Sequence, residues 1–286
     1  MQINILTVRS LAPIATAMIA ATSLLAGTRN AHANPRPLPF TYPAETLPED
    51  SLEVEQYVDY TPLRASEQNA DGSEHRVWDG FYRLQTELEY GITDRLELGT
   101  YLQFEQSPSA GDPNMRFDGV KERLRYHFLD DGPKSLGMAG YFELAEFHDE
   151  FEIEEKLIVS KRLGNLRLMT NLWVEQEFER GKKGAFVYNP TVGATYQITE
   201  RVFLGIEYWA RGRLHHDAEG SSPEELAIDD FNFSTHHYLG PALSLQFGRL
   251  WWSLAPYYRL DHAKRSAEVG DQYGKLWVRS VIGLDL

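Results

Sequence analysis

Residues 166–178 read LRLMTNLWVEQEF, and the order of residue types sorts them onto two faces. Leu166, Leu168, Thr170, Leu172, Val174 and Phe178 fall on one, and Arg167, Met169, Asn171, Trp173, Glu175 and Glu177 on the other. A period of two is the signature of a β-strand, whose successive side chains point to opposite faces. The same alternation runs through 81–90, 95–104 and 274–286, and helical spacing is scarce after Leu52. Twelve strands are expected, at 52–60, 78–91, 95–106, 117–129, 136–147, 151–161, 166–179, 185–198, 201–213, 234–247, 250–261 and 274–286. Strands of soluble domains centre on about 5–6 residues, whereas a tilted membrane-crossing strand needs about 9–11. Most of these exceed the first length and satisfy the second.

The connections separate into two kinds. Short turns are expected near Thr93-Asp94, Asp131-Gly132-Pro133, Leu163-Gly164-Asn165, Thr199-Glu200 and Gly248-Arg249. Longer polar connectors, Thr61 to Val77 and Gly212 to Phe233, alternate with them. Short periplasmic turns and longer outer loops describe a 12-stranded antiparallel transmembrane β-barrel, all-β in class. The even strand number returns both chain ends to the periplasmic side.

Residues 90–104, YGITDRLELGTYLQF, are echoed 106 positions later by 196–210, YQITERVFLGIEYWA. Each copy straddles a short turn. Thr93, Asp94 and Thr199 carry oxygens that can hydrogen-bond turn backbone. Arg95 and Arg201 fit the membrane edge, Tyr90 and Tyr196 an interfacial aromatic belt. Gly99 and Gly205, on the inward face, leave room for a neighbour's bulky side chain. The phrase is therefore assigned to hairpin construction.

That phrase, with the Glu45-Thr46-Leu47-Pro48 entry, resembles bacterial outer-membrane β-barrels, especially the family of putative meta-pathway phenol-degradation outer-membrane proteins. The resemblance implies a channel for small, organic molecules. The last strand is similar to the signal read by the barrel-assembly machinery, but ends in Leu286 where an aromatic residue is usual.

The chain ends and composition bound the rest. Arg9, the uncharged run Leu11 to Leu25 and the triplet Ala31-His32-Ala33 have the order of a cleavable secretory signal over 1–33. Residues 34–50 hold five prolines and read as an extended leader, leaving 51–286 for the barrel. The absence of cysteine fits export. The expected location is the outer membrane of a Gram-negative bacterium, in contact with its lipid. A formal charge of −14 argues against nucleic acid, and no cofactor is expected.

If the apolar rows face lipid, the opposite rows line a wet lumen. They carry Arg83, Glu87, Glu89, Glu97, Lys121, Arg123, Arg125, Glu143, Glu152, Glu154, Lys156, Arg167, Glu175, Glu177, Glu207, Arg211, Arg259 and Asp261. Lys121, Arg123 and Arg125 form a cationic ladder with Glu97 and Glu143 on adjacent strands, an arrangement able to set selectivity or to close the lumen by ion pairing. Tyr101, Trp173, Trp209 and Tyr257 face inward and suit an aromatic or sugar-like solute, or fill space. Glu122 and Glu155 fall on the lipid-facing rows and are expected near a rim or beside a bulge, with Glu155 placed at the rim.

These features point to a channel for passive diffusion of small solutes. Two alternatives stand beside it: a structural barrel with an ion-paired, closed lumen, and a barrel enzyme with a rim His/Asp site. No His-x-Ser-Asn occurs in the chain. His215-His216-Asp217, Asp229-Asp230, His236-His237 and Asp261-His262 cluster near the outer ends of strands, with His215, His216, His236 and His237 as weak metal-ligand candidates. The sequence leaves the oligomeric state open.

Overall fold

The computed structural model describes residues 35–69, 71–106, 114–132, 134–148, 150–179, 184–214, 235–261 and 273–286. Its elements are all strands: β1 (Leu52–Gln68), β2 (Glu74–Thr93), β3 (Leu96–Gln106), β4 (Met115–Leu129), β5 (Gly137–Phe147), β6 (Glu150–Leu163), β7 (Leu166–Glu179), β8 (Ala185–Tyr188), β9 (Thr191–Thr199), β10 (Val202–Arg213), β11 (His236–Phe247), β12 (Leu250–Arg259) and β13 (Leu276–Asp285). Each pairs antiparallel with its neighbours, and β13 returns to β1 from Glu53↔Asp285 to Tyr60↔Val278, closing a barrel. Closure removes the sheet edges that lipid could not satisfy.

Thirteen segments make twelve staves. β8 and β9 are two halves of one stave, both pairing with β7 and with β10. The break is at Asn189-Pro190, where proline has no N–H to give the ladder. The wall stays sealed there, because Asn189 N donates to Trp173 O at 2.9 Å and Ala210 N to Pro190 O at 3.1 Å. A second weak seam separates β11 and β12. Their register runs through Leu239↔Tyr258 and resumes at Leu243↔Leu254, with Pro241 and Pro256 in the interval.

The first hairpin extends further than its sequence pattern indicates. The expected loop from Thr61 to Val77 is largely ladder, with register shifts between Thr61 and Arg64 and between Ala65 and Ser66. Its turn is built on Asp71-Gly72: Gly72 takes φ 81°, and Ser73 N donates to Asp71 Oδ1 at 2.9 Å. The hydrogen bonds from the Ser73 hydroxyl and backbone N–H hold the Asp71 carboxyl below its usual range. An Asp-Gly pair is a strong hairpin signal.

The two faces separate as the alternation predicts. Leu88, Tyr90, Leu98, Leu102, Leu124, Leu172 and Leu204 lie on the outside, whereas Glu87, Glu89, Glu97, Tyr101 and Trp209 are buried within. The repeated turn phrase does what its residues suggest. Thr93 Oγ1 accepts from Leu96 N at 3.0 Å and Thr199 Oγ1 from Arg201 N at 3.2 Å. Asp94 departs from expectation: its carboxylate accepts Glu49 N at 3.1 Å, tying the turn to the incoming chain.

Glu122 and Glu155 are exposed on the outer face, but neither is at a rim. Glu155 is sixth in the fourteen-residue β6, between Phe142 and Val174, and Glu122 is eighth in the fifteen-residue β4. No register shift adjoins either one. The expected rim position of Glu155 is therefore wrong: the short connector before β6 leads into a strand that carries Glu155 well into the wall.

Candidate functional site

Residues 36–47 of the proline-rich leader lie inside the barrel. Arg36, Leu38, Phe40, Thr41, Tyr42, Ala44 and Leu47 are all buried. The segment bends through 37–41 and joins no sheet. Its backbone groups, removed from bulk water, must therefore find partners on the wall. Phe40 N and Thr41 N donate to Glu207 Oε1 at 3.1 and 2.6 Å. Tyr42 N donates to Asn171 Oδ1 at 2.8 Å, and Asn171 Nδ2 returns a bond to Tyr42 O at 3.1 Å. Leu47 N donates to Glu97 Oε2 at 2.7 Å, and Ser253 Oγ to Arg36 O at 2.6 Å. Single polar side chains on the wall thus receive the segment's backbone.

The glycines of the turn phrase make space for lumen contents. A Cβ on Gly99 would stand 2.6 Å from Arg123 Nε, and one on Gly205 would stand 2.9 Å from Leu38 Cδ2.

Around Phe40 the wall supplies an aromatic box. The Phe40 ring centroid lies 4.7 Å from Trp209, 5.3 Å from Tyr257 and 6.3 Å from Trp277. Trp209 stacks on Tyr238 at 4.1 Å and 9°. The Arg279 guanidinium lies 3.7 Å from the Phe40 ring centroid, and its Nε and Nη2 each bond Asp59 at 2.7 Å. Lys156 Nζ sits 3.6 Å from the Trp173 ring centroid and 4.0 Å from that of Tyr141.

Across the lumen, charge is gathered rather than spread. Arg123 Nε donates to Glu87 Oε1 at 2.7 Å and to the Tyr101 hydroxyl at 2.9 Å. Its two terminal nitrogens reach Glu97 and Glu89. Arg125 Nη2 takes the other Glu97 oxygen at 2.7 Å. Lys121 bonds Glu143 at 3.0 Å, Arg211 bonds Glu175 and Glu177 at 2.7 and 2.8 Å, and Arg83 bonds Glu105 at 3.2 Å. Arg167 meets Asp131 at 3.2 Å and also Glu45 of the threaded segment. The carboxylates of Glu55, Glu87 and Glu89 converge within 4.8 Å of one another. Arg36, the Tyr57 hydroxyl and Arg123 already engage that group.

Of the charged and aromatic side chains expected on the inward rows, Glu87, Glu89, Glu97, Arg123, Arg125, Glu143, Glu154, Lys156, Glu175, Glu177, Glu207, Arg259, Tyr101, Trp209 and Tyr257 are buried, and Arg83, Lys121, Glu152, Arg167, Trp173 and Arg211 are half-buried. The pattern does not foresee what they face, which is the chain's own leader. The five prolines, which read only as an extended stretch, are the available signal; they keep the segment out of helix and sheet, which threading also requires.

The outer-rim cluster resolves differently. His215, His216, Asp217, Asp229, Asp230 and His262 lie outside the described residues. His236 and His237 are consecutive in β11 and point to opposite faces, so they do not converge on one ion. His236 Nδ1 accepts from Arg259 Nη2 at 2.6 Å inside the wall, while His237 Nδ1 meets the Tyr208 hydroxyl at 2.7 Å. Burial raises the Asp261 carboxyl, but hydrogen bonds from Arg259 and the His237 backbone N–H outweigh it and hold the group below its usual range.

The model described as "Family of unknown function (DUF6662)" matches residues 30–261, and the chain belongs to that family. A search of curated proteins finds no match. Among solved structures, the chain is similar to the COG4313 outer membrane channel from Pseudomonas putida F1, with TM-score 0.56 and 11% identity over 85% of this chain and 98% of that one. It is similar to the NanC porin with TM-score 0.55 and 9% identity, over 82% and 100% of the two chains. For the KdgM porin the TM-score is 0.50 and the identity 9%, over 82% and 99%. At these identities the likeness is one of barrel architecture.

Proposed function

We propose that this member of the family is an outer-membrane channel for passive diffusion of small solutes, held closed by its own residues 36–47. The observation that carries the reading is how the segment is held. Its backbone is bonded to individual wall side chains, Glu207, Asn171 and Glu97, and adds no strand to the sheet. Such contacts can be broken without unzipping the wall. Solved channels and porins of similar architecture support a transport role. The resemblance of the turn phrase to the meta-pathway family supports an organic solute, as do Trp209, Tyr257, Trp173 and Tyr101 around the path. Residues 1–33 would direct export, and the alternating last strand would present the barrel to the assembly machinery.

The test is planar-bilayer recording on the mature chain and on a variant lacking residues 36–47. The expected result is low, intermittent conductance for the first and steady open channels for the second. Silence from both would favour the second reading, a structural barrel closed by ion pairs. That reading has its own support in Arg123, whose guanidinium spans toward three glutamates of β2 and β3.

A further inference from the structure

Glu207 differs from most of its neighbours in the lumen. It is fully buried, yet among the described residues no cation lies within ion-pair distance of it. Its oxygens are satisfied by neutral donors: the Phe40 and Thr41 backbone N–H groups on Oε1, and the Tyr257 hydroxyl on Oε2. Two of those three belong to the threaded segment. When the segment withdraws, a carboxylate loses both donors inside a low-dielectric wall, and an uncompensated charge there is costly. The same withdrawal removes the Phe40 ring from between Trp209, Tyr257 and Trp277. One movement thus uncovers an anion and an aromatic box side by side.

From this juxtaposition we infer that the lumen holds a binding site for organic ammonium ions carrying an aromatic ring. The ring takes the position of the Phe40 ring, and the ammonium N–H groups replace the two backbone donors on Glu207. Phe40 and Thr41 act as a built-in stand-in for such a ligand, presenting a ring and two N–H donors. Ring–ring contact with Trp209 and Tyr257, in the place of the Phe40 ring, adds to the charge pairing. Arg279, which lies over the Phe40 ring, does not cancel the site, because Asp59 takes its Nε and Nη2. An arylcarboxylate would meet Glu207 with like charge, so the site discriminates by sign as well as shape. The inference rests on the reading that the segment leaves the lumen.

The test is tryptophan-fluorescence and calorimetric titration of the purified mature chain with phenethylammonium, phenylacetate and ethylammonium. Phenethylammonium is expected to bind at least about tenfold more tightly than either of the others, an amount in keeping with one buried aromatic contact or one charge pairing. Phe40→Ala empties the ring position and should tighten phenethylammonium binding by a further factor of about ten. Glu207→Gln should erase the preference over phenylacetate. The sign preference is read on the unaltered sequence, so a Glu207 variant that fails to fold leaves the test intact. Equal binding of phenylacetate and phenethylammonium would overturn the inference, as would a preference that survives Glu207→Gln in a folded barrel. Bilayer recording on the variant lacking 36–47 separates the two readings. Open channels with no ammonium preference would sink the ligand class and keep the channel. Silent bilayers with intact ammonium binding would sink the channel and keep the site.

Discussion

The backbone N–H of Thr41 donates to the Glu207 carboxylate at 2.6 Å, joining the threaded segment to a wall strand 166 residues further along the chain. Beside it the Thr41 and Thr191 hydroxyls meet at 2.9 Å. That second contact offers a lock. The protein has no cysteine, so Thr41→Cys with Thr191→Cys would form one defined disulfide. Oxidised, the double variant should be silent in planar bilayers; reduced with dithiothreitol, it should conduct as the parent does. Equal conductance in both states would show that solutes pass with the segment in place.

Arg123 is the charge on which the lower lumen depends. Removing one partner of a buried ion-pair network leaves the others uncompensated, typically at about 3–5 kcal/mol. Arg123→Met would leave Glu87 and Glu89 without their shared cation. Urea-gradient gel mobility of the barrel should show destabilisation of about that size. Adding Glu89→Gln should recover part of it, since one fewer carboxylate is left exposed to its neighbours. A null effect of Arg123→Met would mean water already enters the network.

Gly99 tests the same hub from the opposite strand. A methyl group there would stand 2.6 Å from Arg123 Nε and 2.8 Å from its Cγ, and that side chain is fixed by its glutamates. Gly99→Ala should therefore reproduce a milder form of the Arg123→Met phenotype in the same gel assay. At Gly164 a Cβ would meet no atom within 4 Å, but φ is 62°, so alanine there should act through turn strain alone.

How much of the fold and of the site is legible in the sequence follows from what alternation can encode. Period two separates Glu97 and Tyr101 from Leu98 and Leu102, so barrel class, strand number and inward rows are all readable. Alternation has no term for a strand pair that continues past its alternating stretch, so the β1–β2 extension is hidden except for Asp71-Gly72. Nor can it report occupancy. Leu38, Phe40 and Tyr42 alternate in only three positions, and their burial depends on Glu207, Asn171 and Gly205 far along the chain. Long-range polar contacts of that kind leave no local pattern.

Glu53 and Glu207 are among the lumen carboxylates with no cation within ion-pair distance among the described residues; Glu53 Oε1 instead accepts from the Trp251 indole N–H. Arg36, which the segment contributes near Glu55, and Glu45, which it contributes near Arg167, leave together and cancel in charge. The opened lumen thus keeps the net charge of the closed one but loses the backbone donors on Glu207, and rings of one sign set pore selectivity. In a potassium chloride gradient, the variant lacking 36–47 should show a reversal potential of the sign for cation preference. Glu207→Gln in that background should move it toward zero. A reversal potential of the anion-selective sign would place the conduction path along the Lys121–Arg125 ladder instead.

Glu155 stands on the outer face with Phe142 and Val174 as its cross-strand neighbours, in a concavity that also includes Leu157, Leu172 and Pro190. A carboxylate facing lipid midway along a strand is unfavourable, though less so than a lysine or arginine at the same depth. Glu155→Leu should therefore stabilise the barrel by about 1 kcal/mol in urea titrations in lipid. The side chain gains apolar contact with the concavity and gives up no hydrogen bond or ion pair among the described residues. If the substitution instead weakens the barrel, the carboxylate is engaged by a group outside the chain. Repeating the titration in zwitterionic and anionic bilayers would then tell a lipid headgroup from a protein neighbour, because only the former would track bilayer composition.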